Sequence, residues 1–131
     1  MARGQLERPR FRVLGPVAAD GPDGLACDLG GPQRRAVLAQ LVLAVPRARS
    51  VDALGVGLWG DAPPPTAAKT LQVHVSKLRQ VLPPGCLVTR PPGYALEVDP
   101  SECDQVVFDR AVDRARTALA GGRPEVAAEI L

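Results

Sequence analysis

The sequence lacks the residue patterns on which catalysis and metal binding usually depend. No GxxxxGKS/T, HExxH or GxSxG pattern occurs, and no nucleophilic side chain has an identifiable base nearby. His74 is the only histidine, which excludes a multi-histidine metal centre. The three cysteines have no paired spacing, so neither a disulfide framework nor a CxxC metal clip fits. We therefore predict that the protein is not an enzyme and holds no cofactor or metal.

The chain also lacks a long apolar run. No stretch approaches the roughly 18 uncharged apolar residues of a membrane span, and the opening MARGQLERPR has no apolar signal segment. Neither export nor a membrane is indicated, and the cysteine usage favours a reducing, cytoplasmic compartment. With 131 residues, 46% of them hydrophobic, the chain suffices for one domain and a short appendage.

Acidic residues are missing from the middle of the chain. None occurs between Asp61 and Glu97, so an anionic partner could approach this stretch without repulsion. The basic residues within it are Lys69, Lys77, Arg79 and Arg90. Net charge is positive up to Pro100 and negative over residues 101–131, which suggests a domain boundary near residue 100.

Apolar periodicity and proline positions predict two helices in the first half of the chain. The first begins at Pro32 and ends before Pro46. Its apolar stripe consists of Leu38, Leu41, Val42 and Val45. The second is capped by Ser50, and Gly55 and Gly57 each weaken it by about 1 kcal/mol relative to alanine. Its inner face consists of Val51, Leu54 and Leu58, followed by Trp59 in the core.

Two β elements are predicted on either side of the helices. FRVLGPV forms a strand with Phe11, Val13 and Val17 on one side, GPDG turns the chain and LACDL returns it. CLVT and YALEV flank RPPG as a second hairpin with Arg90 at its tip. Residues on one side of its arms are Cys86 and Val88, and Tyr94, Leu96 and Val98.

The segment TLQVHVSKLRQVL fits two different periods. A strand would place Leu71, Val73 and Val75 on one side, but a helical stripe continues for longer, so we predict a third helix over residues 66–82. The stripe consists of Leu71, Val75, Leu78 and Leu82. Val73 then lies about 200° from Leu71, on the outer face. The outer face consists of Thr66, Lys69, Thr70, Val73, Ser76, Lys77 and Gln80.

The outer face of the third helix has two explanations. From the residues alone, a solvated helix face is the simpler one. The other is DNA binding, because lysines and short hydroxyls suit phosphate oxygens, Gln80 can read adenine, and Val73 can meet a thymine methyl group. Only DNA binding explains why an apolar residue, Val73, lies on the outer face.

Beyond Pro100 we predict a pair of helices. The first has a stripe of apolar residues and stops at Gly121–Gly122, and Pro124 opens another that reaches Leu131. The stripe consists of Phe108, Ala111, Val112, Ala115, Ala118 and Leu119. Such a pair cannot bury both of its apolar faces alone, so the chain looks cut short and further helices are expected.

The order of these elements resembles a winged helix-turn-helix of the OmpR/PhoB type. More specific is the resemblance to the DNA-binding domain of the Streptomyces antibiotic regulatory protein (SARP) family, carried by FRVLGPV, GPQRRAVLAQLVL, LWGDAPPPTAAKTLQVHVSKLRQVL and LVTRPPGYALEVDP. It implies an α+β fold with an N-terminal antiparallel sheet, three helices and a C-terminal β-hairpin wing. The implied parts are an arm over residues 1–10, the winged helix over 11–100, and over 101–131 the start of a truncated all-helical, tetratricopeptide-like transcriptional activation domain.

The resemblance also implies a function. It is that of a sequence-specific activator of secondary-metabolite (antibiotic) biosynthesis, which binds double-stranded promoter direct repeats as two protomers side by side. The implied DNA-binding residues are Thr66, Lys69, Thr70, Val73, His74, Ser76, Lys77, Arg79, Gln80 and Arg90. Implied contacts of the RNA polymerase holoenzyme, through its sigma factor and alpha subunit, are Asp61, Pro63, Pro64 and Pro65.

Alternatives remain for each of these assignments. Arg90 could be merely solvated, and the loop from Asp61 to Pro65 could be a spacer. The whole winged helix could also serve as a protein-interaction module within a larger regulator. Salt dependence separates the last alternative from DNA binding, because release of counterions makes DNA affinity fall steeply with salt.

Overall fold

The computed structural model describes residues 9–125 of the chain. Its helices are α1 (Pro32–Ala44), α2 (Val51–Trp59), α3 (Ala67–Val81) and α4 (Asp104–Ala120). Its strands are β1 (Phe11–Arg12), β2 (Ala18–Ala19), β3 (Arg49–Ser50), β4 (Leu87–Arg90) and β5 (Gly93–Leu96), and a 3-10 turn covers Pro100–Glu102. The predicted arm over residues 1–10 and the predicted helix after Pro124 lie mostly outside the described residues.

Helix α1 is the centre of the hydrophobic core. It begins at Pro32, as predicted, and ends before Pro46. The predicted stripe is confirmed, because its four residues are all buried. Helices α2 and α3 and strand β5 all contact α1. Among residues 9–125 no helix is both long and apolar enough to cross a membrane.

Helix α2 begins with the predicted cap and accommodates its glycines. The Ser50 hydroxyl accepts a hydrogen bond from the Ala53 N–H at 3.0 Å. Of the predicted inner face, Leu54 is fully buried, whereas the others pack against the core while partly exposed. Glycine at position 57 lowers helix propensity, but it also makes room for the Gln40 side chain, which occupies the space that a Cβ atom would need. Gln40 Nε2 donates to the Leu54 carbonyl at 3.2 Å and so joins α1 to α2.

The N-terminal sheet differs from the prediction. FRVLGPV is not one strand, because β1 ends at Arg12 and the chain has already reversed when β2 begins at Ala18. The reason is the Gly15–Pro16 pair, a dipeptide that favours a turn over a continuing strand. GPDG does turn the chain, with the Gly24 N–H donating to the Gly21 carbonyl at 2.9 Å, but it follows β2 and leads only to an isolated bridge.

The second β element is a three-stranded antiparallel sheet in the order β3-β5-β4. The predicted hairpin is confirmed, and Arg90 is the last residue of β4, paired with Gly93 across the Pro91–Pro92 connection. The predicted faces were only partly right, because Leu87 and Ala95 are buried as well as Cys86 and Leu96, whereas Val88 is half-buried. Helices α1 and α3 both contact this hairpin, so alternation does not separate a buried face from an exposed one.

The start of α4 is built into the core of the winged helix. Cys103 is fully buried and forms a bridge with Phe11 beside β1. The Asp104 carboxylate accepts hydrogen bonds from the backbone N–H of Val13 at 2.9 Å and of Leu14 at 3.2 Å. Gln105 Nε2 donates to the Val42 carbonyl of α1 at 2.8 Å. The core therefore continues past residue 100, into the predicted helical part.

Farther along α4, the predicted apolar stripe is unevenly covered. Ala115 and Ala118 are buried, whereas Phe108 is 52% exposed and Leu119 is 57% exposed. Large exposed apolar side chains along one helix favour contact with a further layer of structure. The expectation of further helices and the division of the chain at residue 100 both stay predictions.

Candidate nucleic-acid interface

Helix α3 buries one face and exposes the other, in the predicted phase. All four residues of its predicted stripe are buried. Val73 is 48% exposed on the opposite side. The helix contains no acidic residue, so the charge of its outer face comes from lysines and an arginine. The interpretation of this segment as helix and not strand is confirmed, although Thr66 and Leu82 of the predicted range lie just outside the helix as its caps.

The predicted DNA-binding residues fall into two groups. The exposed members on or beside α3 are Thr66, Lys69, Val73, Ser76, Lys77, Arg79 and Gln80, and the partly buried members are Thr70, His74 and Arg90. Among residues 9–125 Lys69 and Lys77 have no hydrogen-bond or ion-pair partner. Their ammonium groups are therefore available to phosphate oxygens, whereas His74, Arg79 and Arg90 already contact other side chains.

His74 joins α3 to the first turn of α1. Its Nε2 lies 3.2 Å from Oε1 of Gln33, and within residues 9–125 its buried Nδ1 has no hydrogen-bond partner. Burial lowers the pKa of His74, and the positive charge of Arg34 lowers it further. Both effects favour the neutral imidazole, which donates to Gln33 when its proton is on Nε2.

Arg79 is turned toward the hairpin of β4 and β5, which we call the wing. Its Nε donates to the Leu87 carbonyl at 3.0 Å, and its Nη2 donates to the Thr89 hydroxyl at 2.8 Å. The guanidinium carbon lies 5.7 Å from the centre of the Tyr94 ring, within the range of a cation–π contact. Arg79 is one of the predicted DNA-binding residues, and no local sequence pattern indicates these three partners in the wing.

Arg90 forms an ion pair with Glu97, which follows β5. The Pro91–Pro92 connection, and not Arg90 itself, forms the end of the wing. The Arg90 side chain is 43% exposed and that of Glu97 is 55% exposed, so the pair is a weak one that another anion can replace. The sequence carries one signal for this contact, because Glu97 is the first acidic residue after the acid-free stretch.

The loop between α2 and α3 lies on the surface. Its predicted polymerase contacts are all exposed except Pro64, which is partly buried. The Ala67 N–H donates to the Pro64 carbonyl at 3.0 Å, which fixes the loop where α3 begins. Trp59, just before the loop, packs against the core as predicted. The loop is therefore held at both ends, while Pro63 and Pro65 are exposed to solvent.

The cysteines belong to the packing and not to the surface described above. Burial raises the pKa of Cys86 to about 11 and, helped by nearby acidic groups, that of Cys103 to about 11. Burial also raises the pKa of Cys27, whose thiol donates to the Val81 carbonyl at 3.0 Å. Protonated thiols are poor nucleophiles and poor metal ligands. In the described part of the chain no group of three or more His, Cys, Asp or Glu side chains is placed to hold a metal ion.

A three-helix core with an exposed third helix and a β-hairpin beside it defines a winged helix-turn-helix domain. No protein-family model matches the chain. EmbR of Mycobacterium tuberculosis is 37% identical over 131 residues, covering 95% of this chain and 34% of EmbR. AfsR of Streptomyces coelicolor is 45% identical over 87 residues, covering 66% of this chain and 9% of AfsR.

A solved structure shows the same fold. That structure, Mycobacterium tuberculosis EmbR in complex with a low-affinity phosphopeptide, matches with a TM-score of 0.80 and 36% identity over 94% of this chain and 34% of that chain. The chain belongs to the SARP family of transcriptional regulators. It spans about a third of the length of EmbR and about a tenth of that of AfsR.

Proposed function

We propose that this domain binds promoter DNA sequence-specifically and, within a larger regulator, activates transcription of secondary-metabolite genes by recruiting RNA polymerase. The outer face of α3 carries the proposal. It exposes Lys69, Val73 and Lys77 together, and the chain has no acidic residue between Asp61 and Glu97. A basic helix face with an apolar centre suits a DNA groove, where phosphates border a surface that includes thymine methyl groups.

In this proposal α3 is the recognition helix and enters the major groove, which is wide enough to admit an α-helix. The lysines contact phosphate oxygens and fix the position of the helix without reading sequence. Val73 and Gln80 face the base edges, where they meet a thymine methyl group and an adenine. No step of the function requires bond chemistry, so we propose a binding protein and not an enzyme, acting in the cytoplasm where bacterial promoters lie.

The wing has a second role in the proposal. Arg90 approaches the adjacent minor groove, whose negative potential attracts arginine when the groove is narrow. To do so its guanidinium exchanges Glu97 for DNA, which is feasible because the pair is exposed. Family likeness further supports two protomers bound head to tail on direct repeats.

The first test of the proposal is the salt dependence of binding. We expect Lys69→Ala and Lys77→Ala each to weaken binding to all duplexes alike and to lower the slope of log K against log salt by about one. The physical reason is that each lysine releases about one counterion when it neutralises a phosphate. Binding isotherms at several salt concentrations, on a duplex selected from a random pool and on its scrambled version, measure both quantities.

Arg116→Ala is the matched control for the lysine variants. Arg116 is exposed on α4, outside the proposed interface, so its loss removes the same charge from another surface. We expect its salt slope to equal that of the wild type. Salt-insensitive binding of the wild type to a protein partner, with no preference for any duplex, would instead support the protein-interaction module.

The loop between α2 and α3 is proposed to face RNA polymerase. Its prolines remove backbone donors and fix the backbone, and Pro63 and Pro65 are exposed, so they stiffen a surface without filling the core. We expect replacement of Pro63, Pro64 and Pro65 by alanine to reduce promoter activation several-fold while changing DNA affinity by less than about twofold. Transcription from the bound promoter and binding isotherms on the same fragment check this. An equal fall of affinity and activation would show that the loop only supports the fold.

A further inference from the structure

The last turn of α3 is connected to the wing through one side chain. Arg79 donates to two acceptors of β4, the Leu87 carbonyl and the Thr89 hydroxyl, and lies over the ring of Tyr94 in β5. These three partners belong to both strands of the hairpin. The Arg79 guanidinium therefore connects α3, the proposed recognition helix, to both strands of the wing.

The position of β4 explains why such a contact is available. In the order β3-β5-β4 the strand β4 lies at the edge, so part of its backbone faces away from the sheet. The Leu87 carbonyl is one of these outward groups, and Arg79 Nε satisfies it. Without that donor the edge facing α3 would lose a hydrogen bond that links the strand to the helix.

We propose that Arg79 is a positioning residue that sets the place of the wing relative to the recognition helix, and is not itself a phosphate contact. The inference rests on the proposed function, since it concerns how two DNA-contacting elements are held at one spacing. Lys77, two residues earlier, has no partner among residues 9–125 and is free for phosphate, whereas Arg79 uses its Nε and Nη2 on the wing. In this proposal Lys77 contacts DNA, and Arg79 positions the wing.

Arginine is required for this role by its shape. Its planar guanidinium presents several donors in a fixed arrangement and stacks on an aromatic ring at the same time. Lysine keeps the charge but offers a single ammonium on a flexible stem, which cannot reproduce both hydrogen bonds and the ring contact. A lysine at position 79 would nevertheless serve as a phosphate contact, so Arg79→Lys separates the two roles.

The test is a double-mutant cycle on the full chain, with the duplex that the wild type selects from a random pool. We expect Arg79→Ala to weaken specific binding about tenfold and Thr89→Val about threefold, with the double variant no weaker than Arg79→Ala alone. The salt slope should stay at the wild-type value, and Arg79→Lys should bind as weakly as Arg79→Ala. Additive losses, a salt slope lowered by about one, or rescue by lysine would overturn the inference in favour of a phosphate contact.

A second measurement is independent of DNA. Hydrogen–deuterium exchange of the β4 and β5 amides in the free protein should be faster in Arg79→Ala than in the wild type, with exchange in α1 unchanged. Lys77→Ala is the control and should leave wing exchange unaltered. If the wild type selects no duplex, the proposed function fails, and wing exchange still decides the Arg79 contact. Equal wing exchange in Arg79→Ala and wild type would overturn the inference even if DNA binding is intact.

Discussion

Gly93→Ala is expected to lower the melting temperature by roughly 10 °C or more, because it forces two backbones apart. A Cβ atom at this position would fall on the carbonyl of Arg49 and lie 2.7 Å from Cα of Ser50. Both are backbone atoms of β3, which pairs with β5 at this point, so no side-chain rotation can relieve the overlap. The sheet has to open or shift, and the resulting fall in melting temperature is measured by a thermal melting curve.

The same substitution should also weaken DNA binding, since β3 holds the wing at the start of α2. The Val51 N–H donates to the Pro92 carbonyl at 3.1 Å, next to the pairing of Ser50 with Gly93. Gly15→Ala is the control, because a Cβ atom there meets nothing within 4 Å and its backbone needs no left-handed conformation. If Gly93→Ala had the same melting temperature as the wild type, β3 and β5 would not be packed this closely.

The helices could be predicted from sequence because each buries a single continuous stripe. In α3 the stripe residues recur at helical spacing over three turns, which outweighed the shorter strand-like alternation of Leu71, Val73 and Val75. Pro32 and Ser50 fixed where α1 and α2 begin for a local reason, namely that helix starts have unsatisfied N–H groups. Local rules of this kind need no knowledge of the remaining chain.

The strands were predicted less well because they are short and covered on more than one side. With two residues each, β1 and β2 offer no periodicity to measure, and their turn lies inside the segment interpreted as one strand. In the wing, Leu87 and Ala95 are buried together with Leu96, so alternation carried little information. Which face of a sheet is buried depends on the helices that pack against it, and the local sequence of a strand does not show which helices these are.

The candidate DNA surface was predictable as a face but not as a set of contacts. The exposure of Val73, Lys69 and Lys77 follows from helical phase alone. The contacts of Arg79 with Thr89, and of Arg90 with its acidic partner, depend on how the wing lies beside α3. Such pairs depend on the tertiary structure, so no local sequence pattern predicts them.

Val73→Asp is expected to abolish specific DNA binding, with affinity for the selected duplex falling about a thousandfold or more to the non-specific level. The carboxylate would face the negative field of the duplex and lose water against an apolar methyl surface without a partner. Val73→Ala should cost less, a share of the roughly 1–3 kcal/mol lost per mismatched base pair, and only on duplexes that carry the contacted thymine. Binding isotherms on cognate, thymine-substituted and scrambled duplexes measure these differences.

Val75→Ala is the matched control, since Val75 lies two residues farther along the same helix but is only 1% exposed. Its truncation removes two buried methyl groups and should destabilise the fold by about 2 kcal/mol while leaving the preference among duplexes unchanged. Val73→Ala should show the opposite behaviour, with an unchanged melting temperature, because its side chain is 48% exposed. A large loss of melting temperature in Val73→Ala with sequence discrimination intact would place Val73 in the core, and the outer face of α3 would then not be the surface that reads DNA.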